Sequence, residues 1–201
     1  MKLPNKKYQI IYADPPWDYN NWSKLKSDKL SKKCGRMLYS TMNLNEICDL
    51  QIDKIADKEC ILFLWATMPC LEQAFEVIKA WGFIYKCCAF SWVKTTSKGI
   101  YSGLGNWTLG NIELCLLATH KGFPNRQKPV KQVVLAKRGV HSKKPDEVRK
   151  RIVIMMGDLP RIELFAREKH ESWDVWGIEV PTDTQKRLNP NNSDKEENDK
   201  N

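Results

Sequence analysis

The chain has 201 residues, of which 42% are hydrophobic and 28% are charged. This length and composition suit one stable globular domain and are too small for two domains of ordinary size. The formal net charge of +9 excludes an acidic, solvated chain and makes a polyanionic partner a hypothesis to test.

Short apolar runs predict six strands, and two helical patterns lie among them. The predicted strands cover residues 9–13, 60–66, 87–93, 112–119, 132–136 and 161–166. They are continuous apolar runs more than alternations, as expected for strands covered on both faces. Helices are predicted over residues 69–81 and 145–156, because apolar residues recur there at helical spacing and Gly82 and Gly157 follow. The sequence therefore predicts a layered α/β domain with a largely parallel sheet.

The ends of the chain and its cysteines narrow the class further. Residues 182–201 are almost entirely polar, so we expect one folded domain over residues 1–181 to be followed by a disordered tail. The seven cysteines show no C-x-x-C spacing, which predicts neither a disulfide framework nor a metal site. No signal peptide or membrane span is visible, so we expect a soluble, intracellular protein.

A rigid polar loop follows the first predicted strand, with the sequence Asp14-Pro15-Pro16-Trp17. Ligands of open parallel sheets bind beyond the carboxyl ends of the strands. The two prolines fix φ and leave carbonyl oxygens as acceptors, beside a carboxylate and an indole. This combination suits a planar, amine-bearing group, with Trp17 stacked on the ring. A proline-stiffened turn with Trp17 in the core is the alternative.

Two segments concentrate the positive charge. Residues 121–151 contain eleven lysines and arginines against two acids, and residues 23–36 contain six against one. These segments either keep loops soluble or bind the phosphates of a nucleic acid. Lys128, Lys131 and Lys137 are the residues we expect to contact nucleic acid.

The motif and several later segments resemble one enzyme family. Ala13-Asp14-Pro15-Pro16-Trp17-Asp18 resembles the signature of the adenine-N6 methyltransferases, which include the catalytic subunit of the eukaryotic messenger-RNA enzyme and small bacterial and phage relatives. Further similar segments occur in the family's order over residues 8–180, at residues 39–42, 62–67, 92–95, 142–147 and 162–167. The resemblance implies that residues 1–181 form a Rossmann-like, S-adenosylmethionine-dependent methyltransferase domain with a permuted motif order.

The resemblance also implies roles on the substrate side. The Asp14 carboxylate and the Pro15 carbonyl would accept the N–H groups of an adenine amine, in a loop stiffened by Pro16. Trp17 would stack on the target base, and Tyr39 would lie on the same wall.

The cofactor would be S-adenosylmethionine, with no metal. Lys144, which precedes a predicted helix, would bind its methionine carboxylate. Asp14, Glu163, Phe165, Arg167, Gly177 and Glu179 are the other residues expected to contact the cofactor.

Three functions stay open at this point. The first is adenine-N6 methylation of nucleic acid, with DNA favoured over RNA because short members of the family look bacterial or phage-like. The second is a catalytically inactive, nucleic-acid-binding partner of an active methyltransferase, which the intact Asp-Pro-Pro-Trp motif disfavours. The third, a small-molecule amine methyltransferase, is disfavoured by the basic segments. A protein partner or a homo-oligomer is left open, and a bacterial or phage source would imply a cytoplasmic protein.

Overall fold

A computed structural model describes residues 2–18, 41–103, 107–139 and 143–177. Its strands are β1 (Tyr8–Ala13), β2 (Ala56–Ala66), β3 (Ile84–Thr96), β4 (Gly99–Ile100), β5 (Ile112–Thr119), β6 (Val133–Lys137), β7 (Arg161–Leu164) and β8 (Asp174–Trp176). Its α-helices are α1 (Leu44–Cys48), α2 (Leu71–Ala80) and α3 (Asp146–Met156), with 3₁₀ turns at Ile52–Lys54 and Met68–Cys70. The predicted tail at residues 182–201 lies outside the described residues.

The strands form one sheet in the order β4-β3-β5-β2-β1-β7-β8, and β6 pairs with β3. Strand β1 runs parallel to β2 and β7, while β5 runs antiparallel to both β2 and β3. The sheet is therefore mixed rather than largely parallel, because the described residues between β3 and β5 contain no crossover helix and the chain returns in a hairpin-like connection. The carboxyl ends of β1, β2, β3, β6, β7 and β8 meet at one edge, here called the carboxyl edge.

The sheet is covered on both faces, as its continuous apolar runs predict. Ile11 and Leu62 pack with Ala74 of α2 in one core, whereas Tyr12 and Phe63 belong to the other core, which includes residues of α3. Successive residues of a strand point to opposite faces, so these neighbours in β1 and β2 anchor different layers. Burial of these apolar side chains supplies the main stabilising free energy of the domain.

The six predicted strands and both predicted helices are present, with shifted ends. Gly82 and Gly157 follow α2 and α3 with φ of 79° and 85°, a conformation that glycine adopts without steric cost. Phe75, one of the apolar residues that recur at helical spacing in α2, is 40% exposed and packs edge-on against Tyr85. None of the helices within the described ranges is long and apolar enough to cross a membrane.

Candidate active site

The loop after β1 and the segment before α3 meet at the carboxyl edge through a buried ion pair. The ammonium of Lys144 donates to both carboxylate oxygens of Asp14, at 2.7 Å each. Lys144 is only 8% exposed. The sequence predicted both residues for one site, on the substrate side and the cofactor side respectively, and the structure brings them into direct contact.

A second carboxylate, which the sequence analysis did not single out, completes the ionic cluster. Glu113 lies on β5 at the carboxyl edge and is 6% exposed. Its oxygens lie 3.3 Å from the ammonium of Lys144 and 2.6 Å from that of Lys94. Glu113 is the only acidic residue between Glu76 and Asp146. A single acidic residue within an apolar strand is the sequence feature that could have predicted a role for Glu113.

The four charges set one another's ionisation. Burial raises the pKa of Asp14, and this effect outweighs the opposing influence of Lys144. Burial disfavours the charged form of Lys144, but Asp14 and Glu113 reverse this and raise its pKa. Burial also opposes ionisation of Glu113, yet Lys144 and Lys94 hold the pKa of that carboxyl below its ordinary value. Two cations thus face two carboxylates in a site with little solvent.

The two prolines of the motif hold the loop through their carbonyl groups. The backbone N–H of Trp17 donates to the Pro15 carbonyl, and that of Met42 donates to the Pro16 carbonyl, both at 2.9 Å. A carbonyl oxygen has two lone pairs, so the Pro15 oxygen retains the capacity to accept one further hydrogen bond. The loop is therefore fixed in shape while its acceptor capacity is only partly used.

Trp17 lies mostly in the core beneath this loop. Its side chain is 3% exposed, and its indole N–H donates to the Trp65 carbonyl at 3.1 Å. The ring also borders a cavity of about 310 Å³, which is lined by Trp17, Asp18, Met42, Asn43, Leu44, Asn45 and Gln73. The structure gives Trp17 a packing role, and stacking on a target base stays a prediction.

The loop after β7 forms the neighbouring wall of the site. Phe165 adopts φ of 60°, which is unusual for a residue with a side chain, and its ring packs edge-on against Trp176 at 5.5 Å. A Cβ atom at Gly177 would overlap the backbone carbonyl of Ala166. Gly177 thus allows the chains after β7 and β8 to approach closely.

The two predicted charged residues of this segment have different surroundings. Both oxygens of Glu163 accept hydrogen bonds from the Arg149 guanidinium, at 2.7 and 2.8 Å. This ion pair fixes α3 on the sheet and engages the carboxylate that was expected to contact the cofactor. Arg167 is half-buried, and its charge lowers the pKa of Asp14. Arg167 therefore lies within electrostatic reach of the site.

The three predicted nucleic-acid lysines do not form one surface beside the site. Lys137 ends β6 at the carboxyl edge, whereas Lys128 and Lys131 precede the opposite end of that strand. Four steps of about 3.3 Å separate the ends of β6, a span of about 13 Å. Contacts of Lys128 and Lys131 with nucleic acid stay predictions. Tyr39 and Glu179 lie outside the described residues.

A cluster of possible metal ligands lies at the start of α3. Ligand atoms of Asp146, Glu168 and His170 lie within 4.8 Å of one another. Lys143 pairs with both carboxylates. In the part of the chain that the structure describes, these groups form an ionic network in which the Lys143 ammonium is the cation.

The α/β sheet, the acidic loop after its first strand and the buried lysine facing that loop define a Rossmann-like methyltransferase domain. The profile of the MT-A70 family matches residues 8–179, so the chain belongs to the MT-A70 family of adenine-N6 methyltransferases. This confirms the resemblance noted in the motifs and the enzyme class that it implied.

Individual relatives differ in how much of their length the chain matches. The chain is 36% identical over 195 residues to the type II methyltransferase M.MunI of Mycoplasma sp, covering 90% of this chain and 81% of the relative. It is 30% identical over 166 residues to the human N(6)-adenosine-methyltransferase catalytic subunit METTL3, and 29% identical over 181 residues to a putative N(6)-adenosine-methyltransferase MT-A70-like protein of Medicago truncatula. These two matches cover 80% and 87% of this chain but only 26% of each relative.

Proposed function

We propose that the protein transfers the methyl group of S-adenosylmethionine to the N6 amine of adenine in nucleic acid, with DNA preferred over RNA. The buried contact between Asp14 and Lys144 is the observation that carries this proposal. Asp14 can accept hydrogen bonds from an amine, and Lys144 can donate to a carboxylate. The two groups are in direct hydrogen-bond contact.

The substrate amine needs help because its lone pair is delocalised into the adenine ring. Asp14 and the Pro15 carbonyl accept hydrogen bonds from its two N–H groups. This turns the nitrogen lone pair out of the ring plane. That lone pair then forms the new N–C bond as the C–S bond of the donor breaks, and the amine proton leaves to solvent or a carboxylate. Positioning and electrostatics supply the rate enhancement, since no covalent enzyme intermediate is required.

The buried ammonium of Lys144 fits the donor molecule in charge. When bound, S-adenosylmethionine supplies an electrophilic methyl group on a sulfonium. Lys144 would hold its carboxylate, since the ammonium is buried and its present partners are carboxylates. Phe165, Arg167 and Gly177 line the adjoining wall, where the adenosine would lie. Glu163 and Glu179 belong to this proposal by resemblance to the family.

The likeness to a type II methyltransferase favours DNA. The chain matches 81% of that relative and about a quarter of the N(6)-adenosine methyltransferases, whose names specify a ribonucleoside. Single-stranded or distorted substrate is favoured, because the target base must leave the stack to reach Asp14.

One paired assay tests this proposal. The protein is incubated with methyl-labelled S-adenosylmethionine and with DNA and RNA oligonucleotides of the same sequence, and the digests are analysed for N6-methyladenine. We expect more product from DNA. Higher kcat/KM on RNA would overturn the DNA preference, and cofactor binding with no product on either strand would favour the inactive partner subunit.

A further inference from the structure

Half of the sheet carries positive charge with almost nothing to balance it. Between Glu76 and Asp146 the sequence contains twelve lysines and arginines and a single acid, Glu113. Glu113 is buried and is neutralised by Lys94 and Lys144. The outer surface built by this stretch therefore has no carboxylate of its own, which is the electrostatic signature of a surface for a polyanion.

Part of this charge lies at the carboxyl edge beside the candidate active site. Lys137 pairs with Thr95 at the end of β3, and Lys98 lies in the turn that joins β3 to β4. Arg138 follows β6 and is exposed. Among the described residues, no carboxylate pairs with Lys98, Lys137 or Arg138.

The Arg138 side chain is held in place by an aromatic ring. Its guanidinium carbon lies 5.0 Å from the centroid of the Tyr101 ring, and one of its nitrogens donates to the Tyr101 hydroxyl at 3.3 Å. A guanidinium fixed on a ring keeps its other N–H groups free for a two-pronged contact with phosphate. Trp107, which lies in sequence between the bridged residues Gly103 and Gly110, is 91% exposed and open to stacking by a base.

Ion pairs run from β3, next to this surface, to the catalytic carboxylate. Lys94 lies opposite Ala136, the neighbour of Lys137, in the register of β3 and β6. Its ammonium contacts Glu113, and Glu113 contacts Lys144, which binds Asp14. Strand β6 lies four strands from β1, about 19 Å at ~4.8 Å per strand. A strand stacked as in a duplex, with a rise of ~3.4 Å per nucleotide, crosses that distance in about six nucleotides.

We propose that Lys98, Tyr101, Lys137 and Arg138, together called the basic edge, bind the phosphates that flank the target adenine. This inference rests on the proposed function and adds the path of the substrate strand. The path runs along the carboxyl edge from Asp14 towards β6, and it predicts that nucleotides about six positions from the adenine contribute to binding.

Two variants with the same change in charge test the path. K137E/R138E reverses two charges on the basic edge. K79E/K86E reverses two exposed charges of the same basic stretch, one in the last turn of α2 and one near the start of β3, away from the carboxyl edge. Each full-length protein is assayed on oligonucleotides with the adenine flanked by two or by eight nucleotides on each side. Cofactor binding and circular dichroism establish that each variant is folded.

Wild-type protein should have a lower KM for the long oligonucleotide than for the short one. This advantage is the ratio of KM on the short oligonucleotide to KM on the long one. In K137E/R138E it should fall by about tenfold or more, the order expected for the loss of two charge-assisted contacts. The slope of log K against log salt concentration should become shallower by about 1.4 in this variant, at ~0.7 per lost contact with a single strand. K79E/K86E should keep the advantage within twofold.

The opposite results overturn the path. An unchanged advantage in K137E/R138E would place the strand elsewhere, and equal losses in both variants would show an effect of net charge alone. A change in sedimenting mass in K137E/R138E, with the advantage retained, would assign the basic edge to a protein partner. Wild-type protein that methylates neither oligonucleotide would contradict the proposed function instead.

Discussion

The Lys144 ammonium lies 2.7 Å from both oxygens of Asp14, although the two residues are 130 positions apart in sequence. This contact ties the loop after β1 to the start of α3 and pairs a buried ammonium with a carboxylate whose side chain is 22% exposed. Loss of the Lys144 charge would leave Asp14 without its ammonium partner, whereas loss of the Asp14 charge would leave Lys144 paired with Glu113. Lys144 therefore matters for stability as well as for chemistry.

Lys144→Met should destabilise the protein by about 3–5 kcal/mol, the usual effect of removing one partner from a buried ion pair. It should also abolish cofactor binding. Lys143→Met is the matched control, because its side chain is 43% exposed and it pairs with partly exposed carboxylates. Its change should stay below about 1 kcal/mol. Urea unfolding and calorimetric titration with S-adenosylmethionine measure both effects. Equal losses in the two variants would show that Lys144 contributes no more to stability and cofactor binding than the exposed Lys143.

Glu113→Gln should move the acidic limb of the pH–rate profile to lower pH. The charge of Glu113 is one of the factors that raise the pKa of Asp14, so its removal lowers that pKa. Ionised Asp14 is the stronger acceptor for the adenine amine, so activity falls as pH drops through the pKa of Asp14. The Gln variant should therefore retain activity in more acidic solution. Glu168→Gln, which changes an exposed carboxylate, should leave the limb in place, and a limb that moves to higher pH in Glu113→Gln would contradict the electrostatic account.

Trp17→Phe and Trp17→Ala measure the packing role of this residue. Trp17→Phe keeps an aromatic ring but removes the hydrogen bond to the Trp65 carbonyl, and we expect a loss of about 1 kcal/mol in unfolding free energy. Trp17→Ala should cost about 3–5 kcal/mol because it leaves a cavity in the core. Wild-type stability of Trp17→Ala in urea would show that the indole is not part of the core.

Gly177→Ala should weaken cofactor binding and lower stability by about 1–3 kcal/mol, the usual effect of overpacking. The new methyl group would overlap the backbone of Ala166 and displace the loop that carries Phe165. Gly110→Ala is the control, since nothing lies within 4 Å of the position its Cβ would take. A thermal shift assay with and without S-adenosylmethionine compares them, and matching behaviour of the two variants would remove Gly177 from the site.

The sequence predicted the central strands well because their signal is local. Residues of β1 and β5 form continuous apolar runs, and such runs need no knowledge of their partners. Strands β4 and β8 have two and three residues, too few to show any period. The antiparallel direction of β5 depends on how the β3–β5 connection returns, which composition does not reveal.

The candidate site was predicted in part for a similar reason. Asp14 and Lys144 lie in motifs, so resemblance to a family located them. Glu113 lies within an otherwise apolar strand, and its importance depends on the two lysines that surround it in space. The pairing of Glu163 with Arg149 likewise joins a strand to a helix face, a contact that neither segment shows alone.

The most direct test of the central claim is a single-turnover methylation assay of Asp14→Asn. The protein is saturated with labelled S-adenosylmethionine, mixed with adenine-containing DNA, and sampled for N6-methyladenine by mass spectrometry. The substitution retains the size of the side chain while removing its charge and half of its acceptor capacity. We predict that wild-type protein forms the product and that the variant, still folded and still binding cofactor, is slower by at least a hundredfold, about 2.7 kcal/mol in activation free energy. Equal rates of product formation in the two proteins would contradict the claim that Asp14 holds the adenine amine.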